Sequence, residues 1–242
     1  MKIHFVTESG RWILGRWCDE WAKRIPGATV GTKAEPHAAN VYVNYFLYGE
    51  ETALDICYFT HRELHDKSMQ NSFDRAAKEC DWCLAQCDIT AGLLPSEKTT
   101  IVKPGVGSQF VRSPLRLGVA SKPQAWNRKR LDVLQPLTER SDVEVVVAGG
   151  GIPYGDMDRW YKGVDYVLIT SENEGGPMSV LEAIAMRKPF IAPRNVGWCS
   201  EYPGLLYDSY EEMYEIIDGL VYDPGMWDKG AQQIVKVVEE LI

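Results

Sequence analysis

No apolar run in the 242 residues approaches the ~20 needed to cross a bilayer as a helix. The N-terminus, Met1-Lys2-Ile3-His4-Phe5-Val6, lacks the long apolar stretch and small-residue cleavage site of a signal peptide, so a cytoplasmic location is expected, with no integral membrane segment. A basic surplus is also missing. Lys and Arg total 26 against 34 Asp and Glu, a net charge of −8, which argues against a polyanion as the main partner. Internal repeats and low-complexity segments are absent. Hydrophobic residues at 45% and charged residues at 25% are ordinary for a folded chain, and the length suits one large domain or two small ones. The six cysteines do not form an obvious disulfide framework. Cys80-x-x-Cys83-x-x-x-Cys87 has short spacing, but no fourth metal ligand is evident, and in an apolar stretch cysteine acts as a small core residue.

What the chain does contain is alternation. Strands are expected at 2–7, 41–46, 55–60, 82–86, 99–102, 115–121, 144–148, 166–170 and 189–192. Helices are expected at 13–24, 69–79, 128–138, 180–186, 211–220 and 231–241. The valine run 144–148 has the pattern of a strand buried on both faces. Strands alternating with helices predict an α/β fold with mostly parallel sheets. The series restarts near Pro104-Gly105-Val106-Gly107, so we expect two doubly wound domains with a cleft between them, spanning residues 1–105 and 106–242. The last helix is expected to be able to pack back on the first domain. Ligands of such sheets bind beyond the carboxyl ends of the strands.

The most informative stretch is 166–193, which reads as strand, turn, helix, loop, strand. Gly175-Gly176 loosens the turn, and Pro177 suits the first helical position. The helix start then offers free amides and the positive end of the dipole to an anion. Glu174 precedes this helix and Glu182 lies within it, off an expected core stripe of Val180, Leu181, Ile184 and Ala185. Carboxylates accept hydrogen bonds from paired hydroxyls. Two of them bracketing an anion site suit a ligand with phosphates in the middle and hydroxyls at each end, which is the layout of a sugar nucleotide. Nearby, no acid occurs between Glu97 and Asp132 while eight bases do, which suggests a local anion site.

These residues resemble a family. Glu174 through Glu182 resembles the E-x7-E signature of retaining GT-B glycosyltransferases of the GT4-like group. Leu181-Glu182-Ala183-Ile184-Ala185 and Lys188-Pro189-Phe190-Ile191-Ala192 resemble the run that follows it. The resemblance is strong over about 100–197 and weak before it. It implies two Rossmann-like domains facing a cleft (GT-B), here with a reduced N-terminal, acceptor-side domain and a C-terminal nucleotide-sugar-binding domain. By resemblance, Glu174 holds the donor sugar and Glu182 the ribose. Gly175, Gly176, Pro177 and Met178 meet the sugar and distal phosphate, and Lys129 meets the diphosphate as the lysine of the family's Lys-Gly motif. The family's arginine is replaced by Lys122 or Arg128. Gly150 stands near the nucleoside, Gly10 in the loop after the first strand, and His61, or His65 close behind it, beside the reacting sugar carbon. Glu174, Lys129 and His61 are thus the expected catalytic residues. The donor is expected to be a UDP-sugar, with no further cofactor and no essential metal. The acceptor is a small molecule, glycan, lipid-linked sugar, protein or modified DNA.

Other features compete with this reading. Gly149-Gly150-Gly151 is followed by Pro153 and Tyr154 and so departs from G-x-G-x-x-G, which disfavours a dinucleotide-dependent oxidoreductase. Asp156-Met157-Asp158 could chelate a metal, but suits a helix cap better. Trp12, Trp17 and Trp21 read as core, with a stacking surface as the rival. Two functional alternatives stay open: a viral-type transferase modifying DNA bases, and a non-catalytic nucleotide-sugar-binding protein on the same scaffold.

Overall fold

The computed structural model describes residues 1–8, 13–49, 52–106, 114–121 and 129–242. The chain divides into two compact units, one of Met1–Phe110 with Asp223–Ile242 and one of Val111–Tyr222. The division thus falls five residues beyond position 105, and the C-terminal helix goes with the first unit.

Among the described residues the first unit holds a six-stranded sheet, every neighbouring pair parallel, in the order β2-β1-β3-β4-β5-β6. The strands are β1 (Ile3–Val6), β2 (Thr29–Gly31), β3 (Ala39–Tyr42), β4 (Leu54–Phe59), β5 (Trp82–Ala85) and β6 (Thr99–Ile101). All six residues of β4 are buried, as expected of a parallel strand covered on both faces. One face is covered by the helix Lys67–Glu79, whose start is capped by Asp66 accepting from the amides of Ser68 and Met69. The other is covered by Ile13–Ala22 and the C-terminal helix Met226–Glu240. There Trp21 is fully buried and packs on Phe5, Trp17, Tyr58 and Trp227, with ring centroids 5.5 to 6.2 Å apart. Trp17 and Trp21 are therefore core residues; Trp12 lies outside the described residues. Helix 226–240 approaches so closely that a Cβ on Gly230 would lie 2.9 Å from the Trp21 indole nitrogen.

The second unit holds a five-stranded parallel sheet in the order β11-β10-β9-β7-β8. Its strands are β7 (Leu115–Val119), β8 (Val143–Val147), β9 (Tyr166–Leu168), β10 (Phe190–Pro193) and β11 (Leu205–Tyr207). Each unit is thus doubly wound and Rossmann-like, with its strand order reversing beside β1 in one and β7 in the other. The valine run departs from expectation. It forms β8 at the sheet edge, with Val147 44% exposed, because among the described residues its outer side has no strand partner.

The helix expected at 128–138 is also broken. Lys129 is helical, Arg130 adopts a left-handed backbone (φ 46°, ψ 49°), a 3-10 turn covers Leu131–Leu134, and α-helix resumes at Gln135–Thr138. Pro136 sits at the start of that short helix, where its missing amide costs nothing. Leu131, Val133, Leu134 and Leu137 still reach the core, joined by Met213 and Ile217 of the helix Tyr210–Leu220. Among the described residues no helix is long and apolar enough to cross a membrane.

Candidate functional site

In the second sheet the strand order reverses between β7 and β9. Chain segments leaving the carboxyl ends of these two strands diverge there and open a crevice. Ser121 stands just past β7, and Thr170 and Ser171 just past β9, all three buried. Lys129 and Glu174 meet at this end of the sheet. The Lys129 ammonium lies 2.7 Å from each Glu174 carboxylate oxygen, and the two side chains are only 16% and 14% exposed. The Ser171 hydroxyl donates to Glu174 Oε2 at 2.8 Å.

The position of Lys129 is built by its neighbours. The Thr170 hydroxyl donates to the Lys129 carbonyl at 2.5 Å. The left-handed turn at Arg130 follows, a conformation that costs a non-glycine residue on the order of 1 kcal/mol. Arg130 stands where the resembled family's motif has glycine. Its guanidinium is held by Asp132 and Glu172 and lies 5.0 Å above the Tyr210 ring. Asp132 in turn is kept below the usual carboxylate range by its hydrogen bonds from Arg130.

The turn after Glu174 is tighter than its two glycines suggest. A Cβ on Gly176 would lie 2.4 Å from the Trp198 ring, whereas one on Gly175 would meet nothing within 4 Å. Gly176 is thus needed for close packing, and Gly175 faces open space. Pro177 is the residue before the helix Met178–Ala185, with ψ 116°, rather than its first helical residue. Met178 is 58% exposed at the helix start. The buried face of this helix is Ser179, Val180 and Ala183, while Ile184 is 38% exposed, so the expected core stripe is rotated. Leu181 and Ala185 lie off the buried face too.

Glu182 lines a separate pocket of about 390 Å³, with Ala120, Ala148, Gly150, Ile152 and Tyr154 among its walls. Gly150 has φ +82°, which suits the sharp turn after β8. Small side chains leave the floor open, and the Tyr154 ring at the rim is 82% exposed. The Tyr161 hydroxyl donates to Glu182 Oε2 at 2.5 Å.

Lys129, Glu174 and Ser171 are therefore brought together, and Glu182 is brought together with Gly150. His61 lies in the first unit, just past β4. It is 64% exposed and bonded through its ring nitrogens to Thr60 and Glu63, at 2.9 and 3.0 Å. His65 is exposed as well. Gly10, Lys122 and Arg128 lie outside the described residues. The basic stretch does not form one anion site among the described residues. Lys98 donates to the Lys78 and Cys80 carbonyls, and Arg116 pairs with Glu144.

The competing metal readings gain nothing from the geometry. Asp158 pairs with Lys162 at 2.8 Å, and Asp156 precedes the helix Met157–Lys162 without a side-chain cap. Cys80 and Cys83 are buried with their sulfurs 3.7 Å apart, while Cys87 bonds Thr90 instead. Among the described residues no group of three or more potential ligands could hold a metal ion. Sequence reasoning missed Tyr161 altogether. Its only signal was a tyrosine in a short helix start after the glycine turn, which carries no marker of its partner.

Residues 129–240 match the model of the family described as Glycosyl transferases group 1, so both glutamates and Lys129 fall inside a region similar to glycosyltransferases. No curated protein sequence matches the chain. Solved structures similar over nearly their whole length include the following three. The lipopolysaccharide outer core galactosyltransferase WaaB in its apo form is 16% identical, with a TM-score of 0.36 and 100% of each chain covered. Sucrose-phosphate synthase from Thermosynechococcus elongatus is 13% identical, with a TM-score of 0.34 and coverage of 100% and 99%. WaaG, a glycosyltransferase involved in lipopolysaccharide biosynthesis, is 11% identical, with a TM-score of 0.35 and coverage of 96% and 94%.

Proposed function

We propose that this chain is a retaining glycosyltransferase of GT-B type that takes a nucleotide-sugar donor in its second unit. The observation that carries the reading is the Lys129–Glu174–Ser171 cluster at the strand-order reversal, inside the segment that resembles group 1 glycosyltransferases. Glu174 accepts hydrogen bonds from the donor sugar's hydroxyls. Lys129, released from Glu174 as the donor enters, meets the distal phosphate. Glu182 and the pocket beside Gly150 take the nucleoside, a uridine in our reading.

The acceptor hydroxyl attacks the sugar's anomeric carbon on the face the diphosphate leaves. The new C–O bond forms as the bond to the phosphate oxygen breaks, and the acceptor proton passes to that departing oxygen. Negative charge grows on the diphosphate in the transition state, where a preplaced ammonium stabilises it most. No divalent cation is required in this scheme. All six cysteines are free thiols, which supports a reducing, cytoplasmic setting.

The test is a thermal-shift panel of UDP-, GDP-, ADP- and dTDP-sugars, with and without EDTA, on the native protein and Glu174→Ala. A donor at 100 times its Kd adds about 2.7 kcal/mol of stability. One nucleotide sugar should raise Tm independently of EDTA, the variant should respond less, and slow hydrolysis of that donor should mark an enzyme. No shift with any donor would remove the assignment.

A further inference from the structure

Glu182 stands on a helix, and a glutamate side chain rotates about three bonds. Its carboxylate is nevertheless tied. The Tyr161 hydroxyl binds Oε2 at 2.5 Å, and no other hydrogen bond to that carboxylate occurs among the described residues. Tyr161 is itself buried: it is 2% exposed and packs edge-on against Trp160 at 4.9 Å. Burial and the adjacent Glu182 carboxylate push its phenol above the usual tyrosine range, so it stays an O–H donor.

From these contacts we propose that Tyr161 is a positioning residue that aims Glu182 into the Gly150 pocket as an acceptor for a vicinal diol, making the site selective for ribonucleotides over 2′-deoxyribonucleotides. The inference rests on the donor-site reading above. A carboxylate offers about four lone-pair positions. One is taken by Tyr161, and those remaining can accept only. A ribose supplies two adjacent O–H donors; a 2′-deoxyribose supplies one and leaves an acceptor of a charged group unpaired. Discrimination by a missing hydrogen bond is strong where the partner is charged and held in place, and weak where it can swing to water. Tyr161 supplies the holding. Glu182 is the carboxylate among the pocket's walls; Ala120, Ala148 and Ile152 are apolar, and Ser121 and Tyr154 bring neutral hydroxyls.

The experiment is calorimetric titration of UDP, GDP and ADP and their 2′-deoxy forms into native protein, Tyr161→Phe, Glu182→Gln and the double variant, with inorganic pyrophosphate as a control. For the tightest nucleotide, native protein should favour the ribo form about tenfold or more, the change expected for one hydrogen bond to a charged group. Tyr161→Phe should bring that ratio to about threefold or less and leave pyrophosphate affinity unchanged. In the Glu182→Gln background, adding Tyr161→Phe should not change the ratio, since Tyr161 acts through Glu182. A native ratio in Tyr161→Phe, or a further loss in the double variant, overturns the proposal while leaving the donor site standing. If native protein binds none of the nucleotides, the donor-site reading falls and takes this one with it.

Discussion

Replacing Lys129 with methionine keeps most of the side-chain volume and removes the charge that Glu174 faces. The Glu174 carboxylate, 14% exposed, then loses its contact with the Lys129 ammonium. Breaking a fully buried pair costs about 3–5 kcal/mol. This pair keeps some contact with solvent and Ser171 still donates, so about 2–3 kcal/mol is expected. For a chain of this length 1 kcal/mol moves Tm by about 2–4 °C, so Lys129→Met should melt roughly 6 °C lower. Glu174→Gln should cost a similar amount. The double variant, which removes both charges of the pair, should cost little more than either alone, giving a coupling of about 2 kcal/mol. Calorimetric melts of the four proteins measure it. If the two single losses add to within about 0.5 kcal/mol, Lys129 and Glu174 do not stabilise the fold as a pair. In the transferase assay, Lys129→Met should lower kcat about 100-fold, the scale of one lost transition-state donor.

Two further outcomes follow from geometry. Gly176→Ala drives a Cβ to 2.4 Å from the rigid Trp198 ring and should destabilise the protein by about 1–3 kcal/mol, while Gly175→Ala, with open space, should stay within about 0.5 kcal/mol in the same melts. Hydrogen bonds from Arg140 hold the Asp142 carboxyl below its usual range. A depressed folded pKa gives stability that is present above the unfolded value near ~4 and is lost as pH falls through the folded value. Arg140→Gln should therefore flatten the fall in Tm below about pH 4; an unchanged slope would contradict this.

The alternation of strands and helices was readable because parallel strands such as β4 are mostly apolar, broken there by Asp55 alone. The edge strands β2 and β11 were not read, although β6, an edge strand of the same three-residue length, was. β8 misled because valine content reports β-propensity, not a strand's place in its sheet. The phase of Met178–Ala185 was hidden for a different reason. Six of its eight residues are apolar, so nearly every face looks like core, and Ser179 and Ala183 turn inward through close packing instead. The break at Arg130 had no local signal, since arginine rarely adopts φ > 0. Glu174, Glu182 and Lys129 were legible as chemistry-bearing types. Ser171 is a local partner of Glu174, but the Lys129–Glu174 and Tyr161–Glu182 contacts join segments 21 or more residues apart.

The return of residues 226–240 to the first unit bears on the order in which the protein can be made. Trp227, Ala231, Ile234, Val237 and Val238 belong to the same core cluster as Phe5 and Trp21. On the ribosome, at about 5–20 residues per second, β1 to β6 emerge first, yet their sheet lacks part of one covering face until that helix is synthesised. The second unit, though later in sequence, has all its strands and its core in hand sooner. During that interval the unfinished first sheet presents apolar surface around Trp21, the surface a chaperone would bind and the place where premature release of the nascent chain would be most damaging.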